Sequence, residues 1–257
     1  MERIKKIAFI KMHDIWFDTE RFLRSKASIT TLHTNEVLEK GNYDFQLVAK
    51  TFLLDITPAT QEIFSKFEYK SARYAINRAI RDEVTVKKIE TQEEIETYMK
   101  FQGAFCKEKG IPMLHEEELK DLTGYYALSK EGEYLGACAF IESEDKKTAR
   151  YKYGATLHKL NANEIILWQA IQNYHEEGFQ YFDFGGCIPT EDKEAYYYRH
   201  YHFKKKFGGE LIDSYTYFRI KGIYRIAYHV FMVFVRIFFK GDVNGCTNWL
   251  SQTKLLK

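Results

Sequence analysis

The chain has 257 residues, of which 45% are hydrophobic and 16% aromatic, and its formal net charge at pH 7 is +2. This composition excludes a disordered chain, and the small net charge gives the whole molecule no strong attraction to nucleic acid. The four cysteines, Cys106, Cys138, Cys187 and Cys246, lack CxxC spacing, which argues against a zinc site and fits reduced thiols in the cytoplasm. We therefore expect a folded cytoplasmic protein that holds no metal.

The first 44 residues carry few clear signals of secondary structure. A short apolar run predicts a strand at Ile7–Ile10, and the pattern of Asp18–Arg24 is typical of a short helix. Polar residues from Lys11 onwards interrupt the apolar run too early for the core of a signal peptide. We assign residues 1–44 as an N-terminal segment that belongs to the same domain as the rest.

The elements after residue 44 have stronger signals. Alternation and turn residues predict strands at Phe45–Ile56, Val84–Ile89, Tyr125–Ser129, Tyr134–Glu142, Thr148–Thr156, Tyr181–Phe184 and Leu211–Ile220. Helical spacing predicts helices that begin at Thr57-Pro58, with Thr57 as the cap, and at Ser71–Arg81, Thr91–Lys109 and Glu164–Glu177. Gly110 and Gly178 end the last two helices. This order of elements predicts an α+β fold.

The stretch from Tyr181 to Leu211 has the pattern of a binding site. In its opening strand Phe182 and Phe184 share one face and Asp183 lies on the other. The strand ends at the pair Gly185-Gly186, and a second pair, Gly208-Gly209, closes the stretch. Paired glycines permit positive φ and close approach of the backbone, so we predict one or both features among these four residues.

The same stretch resembles the C-terminal part of the FemABX-type aminoacyl and acyl transferases, a branch of the GNAT superfamily. The resemblance rests on the aromatic-Asp-aromatic-Gly-Gly strand end, on Phe203-Lys204 and on Phe207-Gly208-Gly209. Upstream, Arg73-Tyr-Ala-Ile-Asn-Arg-Ala79 is similar to the basic helix of that family, so the resemblance covers roughly residues 52–220. It implies a GNAT-like, mixed and mostly antiparallel sheet flanked by helices. The full-length family usually has two such domains, whereas here residues 45–221 form one acyltransferase domain.

The resemblance also implies an enzyme that transfers an acyl group to an amine, with Lys204 and Asp183 as its catalytic residues. Such a reaction needs positive charge or hydrogen-bond donors where the oxyanion develops, and Lys204 is the candidate for this role. Its alternative is one of three surface lysines. Asp183 is either a base or substrate-orienting group, or a structural carboxylate that accepts hydrogen bonds from loop N–H groups.

Further candidate residues are basic, aromatic and glycine residues expected to contact substrate. They are Phe203, Arg73, Arg78, Tyr153, Trp168, Gly185, Gly186, Tyr197 and Arg199. We expect Arg73 and Arg78 to face the same cleft as Lys204, because a phosphate-rich ligand needs cations from more than one element. The alternatives are a solvated charged face for the arginines and core or rim positions for the tyrosines.

No bound cofactor is implied, and the donor is either an aminoacyl-tRNA or an acyl-CoA. Acetyl-CoA enzymes of the superfamily hold pyrophosphate with a glycine-rich turn, whereas this chain has HKLNANE at residues 158–164. The missing glycine fits the aminoacyl-tRNA donors of the Fem-type branch, although Asn also adopts the left-handed conformation. The implied acceptor is an amine of a peptidoglycan, sugar-nucleotide or lipid-linked cell-envelope precursor. The alternative function is a non-catalytic module that binds RNA or a membrane surface.

The C-terminal region, residues 222–257, is predicted to contain an amphipathic helix at Gly222–Lys240 and a tail. The apolar run of this helix is near the lower limit for a membrane span and is interrupted by basic residues. Arg225, His229, Arg236 and Lys240 form one stripe on a helix, which is typical of a helix at the inner surface of a membrane. The alternative is a helix that packs its apolar face on the domain.

Overall fold

The computed structural model describes residues 1–7, 10–110, 116–157, 159–226 and 230. The strands in this part of the chain are β1 (Glu2–Ile7), β2 (Ile10–Trp16), β3 (Ile29–Thr34), β4 (Phe45–Asp55), β5 (Thr85–Lys88), β6 (Thr123–Leu128), β7 (Tyr134–Glu142), β8 (Thr148–Thr156), β9 (Tyr181–Cys187) and β10 (Glu210–Ile220). The helices are α1 (Thr19–Arg24), α2 (Thr60–Ser65), α3 (Tyr74–Arg81), α4 (Gln92–Lys109), α5 (Glu116–Leu119), α6 (Ala162–Glu176) and α7 (Tyr198–Lys205), with a π-helical turn, Tyr69–Arg73, before α3.

All of these strands belong to one sheet, in the order β1-β2-β3-β10-β4-β9-β8-β7-β6-β5. The pairs β2–β3 and β8–β9 are parallel, and the other neighbours are antiparallel. The predicted α+β class, with a mixed and mostly antiparallel sheet flanked by helices, is confirmed. Residues 1–44, which gave weak signals, supply three of the strands, and β3 was missed because its Thr and His residues hide the alternation.

The outer face of the sheet carries the main hydrophobic core. Phe182 and Phe184 of β9 are fully buried there, together with Ile63 of α2, Ile76 of α3 and Ile171 of α6. Asp183 points to the opposite face, as alternation along a strand requires. Burial of these aromatic and aliphatic side chains, each about 1.5–3 kcal/mol, fixes the register of β9 and hence the position of its glycine end.

The sheet curls so strongly that its inner face closes on itself. Four strands separate β2 from β8, which in a flat sheet would put them about 24 Å apart. In the folded chain, however, the Lys152 ammonium of β8 lies 3.8 Å from the ring centroid of Trp16 in β2. Arg3 of β1 likewise donates to Glu118 of α5 at 2.7 Å. The N-terminal strands therefore cover the inner face of β8 and β9.

Helix ends show where local sequence signals decide the structure. Thr91 and Glu94 form the predicted capping box of α4, and Gly110 ends this helix in the left-handed conformation. The predicted start of α2 is wrong: the helix begins at Thr60 with Ala59 as its N-cap. The Thr57 hydroxyl instead donates to Asp55, so this threonine stabilises the strand end rather than the helix.

Two predicted elements fall partly on residues that the structure does not describe. The predicted strand Ile7–Ile10 spans the end of β1 and the start of β2, with residues 8 and 9 outside the described part. Of the predicted helix Gly222–Lys240, residues 223–226 and 230 are helical, and residues 227–229 and 231–240 lie outside the described residues. Within the described part of the chain, no helix has the length and apolar character needed to cross a bilayer.

Candidate active site

Lys204 lies at the point where two parallel strands separate. β8 and β9 are paired only from Thr148–Tyr181 to Arg150–Asp183, and beyond this point β9 ends in Gly185-Gly186. The Nζ of Lys204, on α7, donates to the carbonyl oxygens of Gly185 at 3.0 Å and Gly186 at 2.7 Å. The lysine that was predicted from the sequence is therefore held at the end of β9, not on the free surface.

The surroundings of Lys204 change the pKa of its ammonium group. Burial lowers the pKa of Lys204 to about 8, because the charged form loses solvation. At neutral pH the ammonium form still predominates. An ammonium group has three N–H donors, and the two glycine carbonyls take two of them. One N–H remains to stabilise negative charge on a bound molecule.

The glycines at both ends of the stretch behave as predicted. Gly185 has φ +76°, and a Cβ there would lie 2.7 Å from the carbonyl oxygen of Tyr151. Gly208 has φ +72°, and a Cβ would overlap the Lys66 carbonyl. Gly186, in contrast, has open space around it. The close approach of β8 to Gly185 thus requires glycine, and it places the Gly185 carbonyl where Lys204 reaches it.

Asp183 has the contacts of a structural carboxylate, the second of the two roles considered for it. It is completely buried, and it accepts hydrogen bonds from Thr51 Oγ1, from Asn35 Nδ2 at 3.0 Å and from the backbone N–H of Gly185 at 2.7 Å. Arg150 Nη1 lies 3.2 Å from its second oxygen. With both oxygens occupied, Asp183 positions the Gly185 loop and Arg150, and its predicted catalytic role stays a prediction.

The remaining aromatic candidates divide between core and surface. Trp168 is 8% exposed and packs against Phe64 and Phe67 in the core, and its contact with substrate stays a prediction. Phe203 also packs on this core and carries Lys206 over its ring. Tyr197 and Arg199 are exposed on or next to α7, on the same helix as Lys204, and remain candidates for substrate contact.

The two arginines of the basic helix make local contacts. Arg73 lies over the ring of Tyr69, and its buried Nε has no hydrogen-bond partner among the described residues. Arg78 is exposed and pairs with Asp82 at 3.6 Å. Neither arginine has a contact with Lys204 among the described residues, so a shared cleft for the three side chains stays a prediction.

Sequence reasoning missed a polar cluster on the inner face, which we call the inner cluster: Asp14, Trp16, His33, Arg150 and Lys152. The predicted residue Tyr153 borders it, with Lys152 5.4 Å from its ring centroid. Trp16 and His33 stack at 3.9 Å, and His33 Nε2 donates to Asp14 at 2.8 Å. Asp14 and His33 alternate with buried residues along β2 and β3. This pattern resembles an ordinary solvated strand face, and the curl of the sheet brings the two residues together with Arg150 and Lys152.

The turn before α6 has the left-handed backbone conformation that its asparagine was expected to permit. Leu160 and Asn161 both have φ +54°, and Asn161 precedes the helix. The first turn carries Glu164, whose carboxylate pairs with Lys206 at 2.6 Å. Residue 158 of the predicted turn lies outside the described residues. A carboxylate thus lies in the first helical turn, near where a pyrophosphate would bind.

A cavity of about 440 Å³ opens beside α7 and the π-helical turn. Its lining residues are mostly basic: Lys66, Glu68, Ser71, His202, Lys205, Lys206 and Gly208. Within the described ranges, no group of three His, Cys, Asp or Glu side chains is arranged to hold a metal ion.

The fold is shared with solved structures of transferases. FemX superposes with a TM-score of 0.63 at 14% identity over 87% of this chain and 85% of FemX. The C-terminal domain of a putative lysylphosphatidylglycerol synthetase from Agrobacterium fabrum gives 0.60 at 13% identity over 91% and 84%, and L-PGS from Bacillus licheniformis gives 0.57 at 11% over 88% and 82%. No family model and no curated protein matches the sequence. At these identities the likeness is one of fold, and the predicted FemABX-like, GNAT-type fold is confirmed.

Proposed function

We propose that the protein transfers an aminoacyl or acyl group from an activated donor to an amine of a cell-envelope precursor. The observation that carries the proposal is Lys204, a buried ammonium held by the Gly185 and Gly186 carbonyls where β8 and β9 separate. The site offers a fixed positive charge beside an opening in the sheet. Fixed charge of this kind stabilises the oxyanion that forms when an amine attacks an ester or thioester carbonyl.

In this reaction the neutral amine attacks the donor carbonyl, a C–N bond forms and the carbonyl oxygen becomes an oxyanion. Lys204 donates its remaining N–H to this oxygen. Collapse of the intermediate breaks the bond to the leaving oxygen or sulfur, which takes the proton released by the amine, directly or through water. The chain needs no covalent intermediate for these steps.

An aminoacyl-tRNA fits the site better than an acyl-CoA. Glu164 in the first turn of α6 brings negative charge near where the superfamily binds the pyrophosphate of CoA, and it pairs with Lys206. The basic cavity beside α7 supplies cations suited to a polyphosphate backbone. The charge distribution therefore supports tRNA as the carrier of the acyl group.

The fold neighbours and the C-terminal helix support a cell-envelope acceptor. One neighbour is a putative lysylphosphatidylglycerol synthetase, a name that denotes an aminoacylated lipid. In this chain Ile223, Ile226 and Val230 are exposed to 72%, 64% and 64%, at helical spacings of three and four residues. An exposed apolar stripe of this kind suits contact with the inner face of a membrane, where a lipid-linked acceptor is presented.

The test is transfer of a radiolabelled amino acid from aminoacyl-tRNA by the purified protein, with phosphatidylethanolamine vesicles or peptidoglycan precursors as amine acceptors. We expect Lys204→Met to lower kcat/KM about 100-fold or more, as for loss of one oxyanion donor. Lys130→Met is the control, because Lys130 is exposed, pairs with Glu83 and does not line the basic cavity. This control should retain activity within about twofold, since exposed ion pairs contribute little.

The pH dependence of the transfer rate is a second test of the role of Lys204. Because the pKa of Lys204 is about 8, its charged fraction and the transfer rate should fall as pH rises above 8. Equal losses in Lys204→Met and Lys130→Met would contradict the assignment. Absence of transfer with every donor, combined with tRNA or vesicle binding that depends on Lys204, would favour the non-catalytic binding module.

A further inference from the structure

The inner cluster contains a half-buried cation, Lys152, with no ion pair among the described residues. Lys152 Nζ lies 3.8 Å from the ring centroid of Trp16 and 5.4 Å from that of Tyr153. Among the described residues, no carboxylate is within ion-pair distance of this ammonium. Burial lowers the pKa of Lys152 to about 8, which reflects lost solvation that no ion pair restores.

The nearby carboxylates are already engaged. Asp14 accepts from His33 at 2.8 Å, and Glu118 accepts from Arg3 at 2.7 Å. Asp183, which lies deeper, is occupied by four donors. Arg150, which pairs with Asp183, also points into this face, 5.5 Å from the Trp16 ring centroid.

The backbone is shaped to present Lys152. The pairing of β7 with β8 passes from Ala139–Tyr153 to Phe140–Tyr151, so Lys152 is the extra residue of a β-bulge. Bulges re-aim side chains and are frequent next to active sites. Arg150 and Lys152, two residues apart along β8, both reach the Trp16 ring.

The hydrogen bonds of Arg150 leave part of its guanidinium free. Its bonds to Asp183 at 3.2 Å and to Ser214 at 3.1 Å both come from Nη1. Among the described residues, none accepts a hydrogen bond from Nη2 or Nε, the two nitrogens on the second edge of the Arg150 guanidinium. A guanidinium edge next to an ammonium is a geometry that binds the oxygens of a carboxylate or phosphate.

We propose that Lys152, Arg150 and Trp16 form a second binding site, which holds a carboxylate or phosphate group of the acceptor molecule. The assignment of this group to the acceptor rests on the proposed function. The site lies on the same side chain network as the reaction centre: Arg150 contacts Asp183, which holds the N–H of Gly185, and the Gly185 carbonyl holds Lys204. An acceptor anchored by its oxyanion on the inner face would extend its amine towards the end of β9.

A cation–π contact that only packs Lys152 on Trp16 is the competing explanation. Such a contact stabilises by about 0.5–2 kcal/mol and would not respond to anions. Competitive labelling of lysines with trace acetic anhydride, read by mass spectrometry across pH, separates the two. It reports the reactivity of each lysine in the full-length chain and needs no turnover, so its outcome is independent of the transferase proposal.

Inorganic phosphate and acetate are the probes, each at about 20 mM, where even a millimolar site is mostly filled. We expect at least one of them to protect Lys152 from labelling at pH 8 about threefold or more, because a bound anion favours the charged amine. Lys130, which is exposed and pairs with Glu83, is the internal control and should not change. Protection by phosphate alone assigns a phosphate group, protection by acetate alone a carboxylate, and protection by both a general oxyanion site. Unchanged labelling of Lys152 with both probes would overturn the proposal.

A variant gives the second readout. Lys152→Met keeps an unbranched side chain on Trp16 and removes the charge, so it should fold and lose the anion effect. In the transfer assay it should raise the KM for the acceptor about tenfold and leave the KM for the donor unchanged. Equal effects on both KM values, or none on either, would contradict an acceptor site.

Discussion

Gly185 serves the site through its backbone alone. Its N–H donates to Asp183 and its carbonyl oxygen accepts from Lys204, while its φ of +76° and the nearby Tyr151 carbonyl exclude a side chain. We expect Gly185→Ala to lower the free energy of unfolding by about 1–3 kcal/mol, and to reduce activity further by displacing Lys204. Gly186→Ala is the control, because a Cβ on Gly186 would have no neighbouring atom within 4 Å. Urea unfolding measures both variants, and equal destabilisation would contradict the argument.

These residues also show how far a sequence motif can predict a site. The glycine pairs and Lys204 were found because their neighbours along the chain form a recognisable pattern. Asp183 was found by the same pattern, but its role is decided by Asn35, Thr51 and Arg150, which come from three distant parts of the chain. Nothing in the sequence near Asp183 shows that both of its oxygens are occupied.

At the scale of elements, the capping box of α4 predicts a defined dependence of stability on pH. Hydrogen bonds from the backbone N–H groups of Glu90 and Thr91 and from the Tyr126 hydroxyl lower the pKa of Glu94 to about 2. A carboxyl whose pKa is lower in the folded state stabilises above its unfolded pKa, near 4.5, and this contribution is lost as pH falls from 4.5 to 2. Glu94→Gln should therefore destabilise by about 1 kcal/mol at pH 7 and by less at pH 3.

Thermal unfolding across this pH range checks the prediction, with Glu93→Gln as the control because Glu93 is exposed in the same turn. A constant difference between the Glu94 variant and the parent from pH 7 to pH 3 would show that the capping box does not act through charge.

The elements that were predicted well, such as α4, α6 and the β6–β8 meander, are those with such local signals. Thr57 gave an equally good local signal, but its hydroxyl bonds backwards to Asp55, and the start of α2 was misplaced.

At the scale of the whole molecule, the decisive feature is the curl of the sheet. It places residues of β1 and β2 on β8 and α5, more than a hundred positions away in sequence, and thereby creates the inner cluster. Sequence periodicity indicates which face of a strand is polar, but not which strands come to face each other across a curled sheet. The inner cluster was therefore not predictable, although each of its strands except β3 was at least partly predicted.

The curl predicts an energetic coupling between the first strand and α5. Arg3 and Glu118 pair at 2.7 Å with side chains that are only 20% and 14% exposed, so solvent screens the pair poorly. A double-mutant cycle with Arg3→Ala and Glu118→Ala should give a coupling energy of about 1–2 kcal/mol, which distant and independent sites do not show. Lys130 and Glu83 are the matched control, because both are about 60% exposed and should couple by less than about 0.5 kcal/mol. Additive effects of the Arg3 and Glu118 substitutions in urea unfolding would mean that β1 does not close the inner face in solution.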